Sequence, residues 1–376
     1  MDFLDRFKFR RLVEKYNGDS YVKHFTCWNQ LLTLMFGQLS GRESLRDLII
    51  ALEAHQSKCY HLGFGGKPVS RNTFSVANQR RDYRIFEDFA FFMMDVARGR
   101  CVEEIFKLGG NVYAFDSTTI PLCLSIFRWA KFRRSKGGVK THVLYDLETH
   151  VPAFYHITTA SVFDSKAMPE IPLEEGAYYV FDRGCNAFAE LFRIELMKSF
   201  FVVRAKKNLQ FTCVRWKRRL PENVLTDAEI KFTDGKSPVK SPMTLRLVGY
   251  HDAEQNRDFA FLTNAFSLTA LEVANLYRHR WQIELFFKWL KQHLKIKRFW
   301  GTTENAVRIQ ISVAIITYCL VAVVQNALKT KRSIYELLQI LSISLTDKTP
   351  IGELFEKKEL AECENLSTPF IPGFFD

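Results

Sequence analysis

No C-x-x-C pair occurs in the 376 residues; the eight cysteines, at 27, 59, 101, 123, 185, 213, 319 and 363, are scattered singly. That pattern argues against a zinc site or a disulfide framework and fits a reducing cytoplasm. The nine histidines are equally dispersed and none stands in H-E-x-x-H, so structural or surface roles are their default. Membrane-length apolar runs are missing as well. The longest uncharged one, ISVAIITYCLVAVV at 311–324, has 14 residues against the roughly 20 that cross a bilayer, and predicts a buried helix. The opening MDFLDRFKFRRLVEKY is charged throughout and lacks a signal-peptide core. There is no internal repeat and no low-complexity tract. Acid is short relative to base: 41 Asp and Glu against 53 Lys and Arg give a net charge of +12. That imbalance points to a polyanionic partner, nucleic acid ahead of an anionic membrane surface. With 47% apolar and 25% charged residues, the chain has the composition of a globular protein of two or three domains.

What is present is organised in blocks. The first hundred residues read as helical, with turns at YNGDS, LSGRES and GFGGKP. In SRNTFSVANQRRDYRIF, Ser70 takes an N-cap position, and the helix after it is expected to expose Arg71, Asn72, Ser75, Asn78 and Arg81. It reads equally as a DNA-reading helix and as a plain surface helix. From Asn111 short β-rich runs take over: NVYAFD, two strands turning near 148–150, GAYYVFD, FFVVRAK, MTLRLVGY and DFAFLTN, with a helix at NAFAELFRIELMKSF.

One later stretch carries an unusual pattern. YRHRWQIELFFKWLKQ, 277–292, reads as one helix, and at ~100° per residue Tyr277, Arg280, Glu284 and Lys291 fall within roughly 60° of each other. Ile283, Phe286, Phe287 and Leu290 flank this stripe on one side, Trp281, Leu285 and Trp289 on the other. The stripe is either a solvated i,i+4 face or the edge of a cleft. Asp116 in YAFDSTT and Asp182 in YVFDRGC each follow an aromatic-rich strand, where an aspartate caps a turn or lines a ligand site. With Glu284, these two would make an oxygen-only set. Three close carboxylates stay ionised together only if cations neutralise them. Mg²⁺ suits such ligands, and two ions ~3.5–4 Å apart can activate an attacking oxygen and stabilise a leaving one. Three basic runs stand near the acids in sequence: Arg128, Lys131, Arg133, Arg134, Lys136 and Lys140; Lys206, Lys207, Arg215, Lys217, Arg218 and Arg219; and Lys288, Lys291, Lys295, Lys297 and Arg298. Together they suggest a phosphate-binding surface.

The spacing Y-x2-R-x3-E-x6-K at Tyr277, Arg280, Glu284 and Lys291 resembles the signature of bacterial insertion-sequence transposases of the "insertion sequence four" group, in the DDE superfamily. The resemblance continues through YAFDSTTIPLCLSIFRWAKFRRSKGGVKTH, YYVFDRG, FFVVRAK and FLTN and covers roughly residues 5–330. It implies an α/β fold with an RNase H-like catalytic core carrying a β-rich insertion, after a helical N-terminal DNA-binding domain. The boundaries expected are 1–105 for that domain, 106–204 and 266–330 for the two parts of the core, 205–265 for the insertion and 331–376 for a helical tail. Little sequence precedes FLDRFKFRRLVEKY, so a few leading residues of the end-recognition domain are expected to be missing. By the same resemblance, Asp116, Asp182 and Glu284 are the catalytic, metal-binding triad for Mg²⁺, with Mn²⁺ as substitute. Tyr277, Arg280, Lys291 and Lys288 would contact phosphates, and Trp281 would stack on an unpaired base or belong to the core. Arg71, Asn72, Arg133, Arg134 and Lys136 complete the expected DNA contacts. The implied activity is cleavage of double-stranded DNA at element ends and transfer to target DNA by a cytoplasmic homodimer on paired ends. Two other readings stay open: a silent DNA-binding relic, and an RNase H-like nuclease of repair or RNA processing.

Overall fold

The computed structural model describes residues 3–59, 63–64, 69–101, 103, 105–134, 136–232, 244–292, 299–330, 332–346 and 349–355. Six helices come first: α1 (Arg6–Lys15), α2 (Cys27–Leu39), α3 (Leu45–Ala54), α4 (Gln56–Cys59), α5 (Arg71–Arg80) and α6 (Arg84–Arg98). Asp5, Thr26, Ser44 and Ser70 fix four of their starts, each side chain accepting from the backbone N–H three residues on. Next come β1 (Val112–Leu122), β2 (Lys131–Arg133), β3 (Lys136–Asp146), β4 (Val151–Thr159), the short α7 (Asp164–Ala167), β5 (Tyr178–Phe181), α8 (Phe188–Leu196) and β6 (Phe200–Arg204). Four more strands follow: β7 (Phe211–Trp216), β8 (Val224–Phe232), β9 (Leu245–Asp252) and β10 (Arg257–Thr263). The chain closes with α9 (Ala270–His279), α10 (Trp281–Gln292), α11 (Glu304–Ala327), α12 (Ile334–Ser344) and α13 (Ile351–Phe355).

All the described strands join one sheet, ordered β2-β3-β1-β5-β6-β10-β9-β8-β7, with β4 also paired to β3. β1, β5 and β6 run parallel, and β3 is antiparallel to β1 and β4. The path β4-β3-β1-β5-β6 with only β3 reversed is an RNase H-like core. The YYVF of β5 is buried at every position, as an interior parallel strand requires. The strands of the expected insertion extend this same sheet, because β10 pairs antiparallel with β6 and β9, β8 and β7 add beyond it. Alternate residues face opposite layers. Val112, Ala114, Val143 and Val202 join a core shared with α6, α9, α10, α11 and the leading helices. Tyr113, Phe115, Phe181 and Val203 join a second one with Leu191 and Ile194 of α8. α11 is long and apolar enough to cross a membrane, yet its most apolar window is 89% buried in the protein. It packs against α2, α5, α6 and α12 as the central core helix.

Three expectations change. The segment 277–292 is two helices, because the ladder tightens at Arg280: its N–H donates to Tyr277 O, and Ile283 N–H to Arg280 O, both three residues back. Asp116 lies within β1 rather than after it, since β1 stays paired with β3 as far as Leu122. Only its parallel pairing with β5 ends at Phe115–Phe181. Finally, Asn78 and Arg81 are buried, not exposed. Gln30 donates to Asn78 Oδ1 at 2.6 Å, Arg81 donates to Gln30 Oε1 at 2.8 Å, and Asn305 holds both backbone carbonyls, tying α2 and α5 to α11.

Candidate active site

Phe115 and Phe181 face each other across β1 and β5, so Asp116 and Asp182 are the next residues on adjacent parallel strands. α9 and α10 bring the other groups. The Thr269–Glu272 capping box starts α9. Near its end the Tyr277 hydroxyl donates to Asp182 Oδ1 at 2.9 Å. Arg280, at the α9–α10 joint, donates Nη1 to Asp116 Oδ2 at 2.9 Å and Nη2 to Glu284 Oε1 at 2.5 Å. One guanidinium therefore bridges two of the acids, while Tyr277 holds the third. Arg204 on β6 adds a cation 3.8 Å from Asp182. Tyr277, Arg280, Trp281 and Glu284 line a cleft of about 780 Å³ with Arg204 and Phe259.

Electrostatics distinguishes the two aspartates. Burial raises Asp116 above its ordinary value, against the pull of Arg280. Burial also pushes Asp182 upward, but the Arg183 amide, the Tyr277 hydroxyl, Arg280 and Arg204 outweigh it and leave the carboxyl lowered. Arg280 itself is raised: burial disfavours its charge, and Tyr277, Asp116 and Glu284 more than compensate. Among the described residues no three acid, histidine or cysteine side chains form a ready metal cage. The donor set still fits a hard divalent cation in kind, since all three candidates offer carboxylate oxygens and two of them already converge on a positive group.

The family described as Transposase DDE domain matches residues 107–320, more than half of the chain. The chain belongs to the DDE transposase family. Membership implies nucleic-acid strand cleavage and transfer, and divalent-metal use in general. A protein named as a transposase in Sinorhizobium fredii is 36% identical over 66% of this DDE transposase chain and 68% of its own. One named for an insertion sequence element of Geobacillus stearothermophilus is 32% identical over 54% of each. Another, of Synechocystis, is 28% identical over 68% of this chain and 72% of its own. Residues 1–65 match a Domain of unknown function (DUF4372).

The other expected site residues are distributed over several elements. Trp281 is 51% exposed on the cleft rim and not a core residue. Lys288 is exposed on α10 and Lys291 partly buried near its end. Arg133, Arg134 and Lys136 are exposed on the β2–β3 hairpin, beyond Asp116 on the neighbouring strand. Arg71 and Asn72 are exposed in the first turn of α5, which packs on α3 and α11. Lys295, Lys297 and Arg298 fall outside the described residues.

Sequence reasoning passed over Asp164, which comes close to the same region. It stands 3.5 Å from Lys140, 3.3 Å from His142 and 2.5 Å from the Ser117 hydroxyl. The only local hint was the DSK turn after a β run. Burial works against its ionisation, but His142, Ser117 and Lys140 outweigh it and hold the carboxyl at about 2, below its ordinary 3.8. A lowered folded value means that the ionised form stabilises the fold above about pH 4 and that this contribution is lost as pH falls toward about 2. Asp164→Asn is therefore expected to melt below wild type at pH 6, with the gap closing between about pH 4 and about 2. Thermal melts of both proteins across that range check it.

Proposed function

We propose that this chain cleaves DNA at the ends of an insertion sequence and transfers the freed 3′-hydroxyls to target DNA. The observation that carries the reading is the single Arg280 guanidinium bonded to both Asp116 and Glu284, with Tyr277 on Asp182 one strand away. Asp116, Asp182 and Glu284 would hold Mg²⁺, or Mn²⁺ in its place, as two ions. When bound, the metal supplies Lewis-acid stabilisation of the attacking and leaving oxygens. Arg280 gathers the carboxylates by its own charge and would turn toward phosphate oxygens in the DNA complex. Its Nε–H and that of Arg204 are buried without a hydrogen-bond partner among the described residues. Tyr277 orients Asp182, and Lys288 and Lys291 extend the positive surface along α10. Trp281 offers an exposed ring on which an unpaired base would stack. Arg133, Arg134 and Lys136 would hold the backbone further along, and Arg71 and Asn72 would serve end recognition. Two protomers would hold two ends together.

A metal-dependent melt tests the core of this reading. A cation binding only the folded state at about 100 times its Kd stabilises by about 2.7 kcal/mol. Wild type should melt higher in Mg²⁺ or Mn²⁺, and Glu284→Gln should lose most of that rise. Equal melting with and without either ion withdraws the metal assignment. Incubation with duplex carrying element ends, against an RNA–DNA hybrid, separates transposition from an RNase H-like nuclease.

A further inference from the structure

Across the sheet from Asp116 lies a second polar cluster. Asp164 opens α7, and its Oδ1 accepts from Ser117 Oγ at 2.5 Å, with His142 Nδ1 at 3.3 Å and Lys140 Nζ at 3.5 Å. The partners come from both strands of one ladder, in which Ser117 faces His142 and Thr119 faces Lys140. By alternation Ser117 shares the face of Phe115 and Tyr113, opposite to Asp116. The Ser117 backbone N–H nonetheless donates to Asp116 Oδ1 at 2.8 Å. Serine 117 thus has one hand on each acid. His142 is wholly buried and the Lys140 side chain only 13% exposed, so the Asp164 charge balances a lysine largely withdrawn from water. Asp164 also reaches the other aspartate by packing. α7 lies against the 183–185 turn that follows Asp182, and a Cβ added at Gly184 would sit 3.7 Å from Asp164 Oδ2.

We infer that Asp164 is a positioning residue for strand cleavage. Through Ser117 and the 183–185 turn it sets how Asp116 and Asp182 present their oxygens to a divalent cation, an inference that rests on the metal assignment proposed above. It acts through its neighbours and touches no reacting atom.

Mn²⁺ titration of the purified full chain, read by electron paramagnetic resonance, is the test. Asp164→Asn keeps the shape and removes the charge. It is expected to raise the Mn²⁺ dissociation constant about tenfold or more, the size typical of residues that orient metal ligands, while binding of element-end DNA without metal stays unchanged. Ser117→Ala should reproduce part of the loss. The double variant should be no weaker than Asp164→Asn alone, because both lie on one route. An unchanged Mn²⁺ constant in Asp164→Asn, or losses that multiply in the double variant, overturns the inference and leaves the metal assignment standing. If Asp164→Asn does not fold, Ser117→Ala carries the test by itself, since it leaves Asp164 paired with Lys140 and His142, and unaltered Mn²⁺ affinity there is equally fatal. A wild-type chain that binds no Mn²⁺ overturns both readings.

Discussion

Asp116→Asn or Glu284→Gln is expected to lower strand cleavage by at least about 10³-fold while leaving element-end binding within about threefold of wild type. Metal-based charge stabilisation contributes several kcal/mol to the barrier, and each ~1.4 kcal/mol is a factor of ten in rate. In protein–DNA complexes generally, phosphate contacts from lysines and arginines carry much of the binding, and these changes remove no lysine or arginine. Asp116→Asn should also fold well. The wild-type carboxyl is raised by burial, so its ionised form is disfavoured in the fold, and the penalty grows as pH rises through its folded value. An asparagine there never ionises. Without metal the variant should therefore melt no lower than wild type at pH 7, apart from the lost Arg280 contact, and the metal-induced rise should vanish. Cleavage and gel-shift assays beside melts with and without Mn²⁺ check all three. Cleavage at the wild-type rate by either variant would remove these acids from the chemistry.

The second large effect is on stability and lies away from the acids. Arg246 on β9 is only 2% exposed and grips Asp227 on β8 through two bonds, Nε at 2.7 Å and Nη2 at 2.8 Å. Its Nη1 donates to the Leu268 carbonyl, just before the capping box that starts α9. One buried guanidinium thus joins the added strands to the helix that presents Tyr277. Arg246→Met fills similar space but leaves Asp227, 5% exposed, with Lys217 as its remaining cation. Removing one partner of a buried ion pair costs about 3–5 kcal/mol, and Lys217 at 2.8 Å places this case near the lower end. Urea unfolding should show the loss. Cleavage should fall only as far as the folded fraction does, the reverse of the Asp116→Asn pattern. A midpoint equal to wild type would mean that Arg246 does not hold these elements together.

Local patterns were legible wherever one element carries its own signal. Ser70 caps its helix because a hydroxyl three residues ahead of a backbone N–H needs no distant partner. The tyrosine–arginine–glutamate stripe survives the break at Arg280, because the Arg280 backbone keeps helical angles of −54° and −30°. Exposure was another matter. Asn78 and Arg81 look like surface residues by type, and only the arrival of Gln30 and Asn305 from other helices gives them the hydrogen bonds that permit burial. Trp281 and Trp289 read alike in sequence, yet the first is 51% exposed and the second 8%, because Trp289 packs on Tyr318 of α11.

By itself, the sequence determined the change from a helical first part to a β-rich later one, the basic surplus, and the acids and cations on hand. These follow from residue type and from spacing within single elements. Only the tertiary structure decided that β1 and β5 pair in parallel so that Asp116 and Asp182 become neighbours, that Arg280 bridges from helix to strand, and that Asp164 stands behind Ser117. Each depends on side chains tens of residues apart meeting across a sheet, where burial and charge pairing in three dimensions outweigh any local preference.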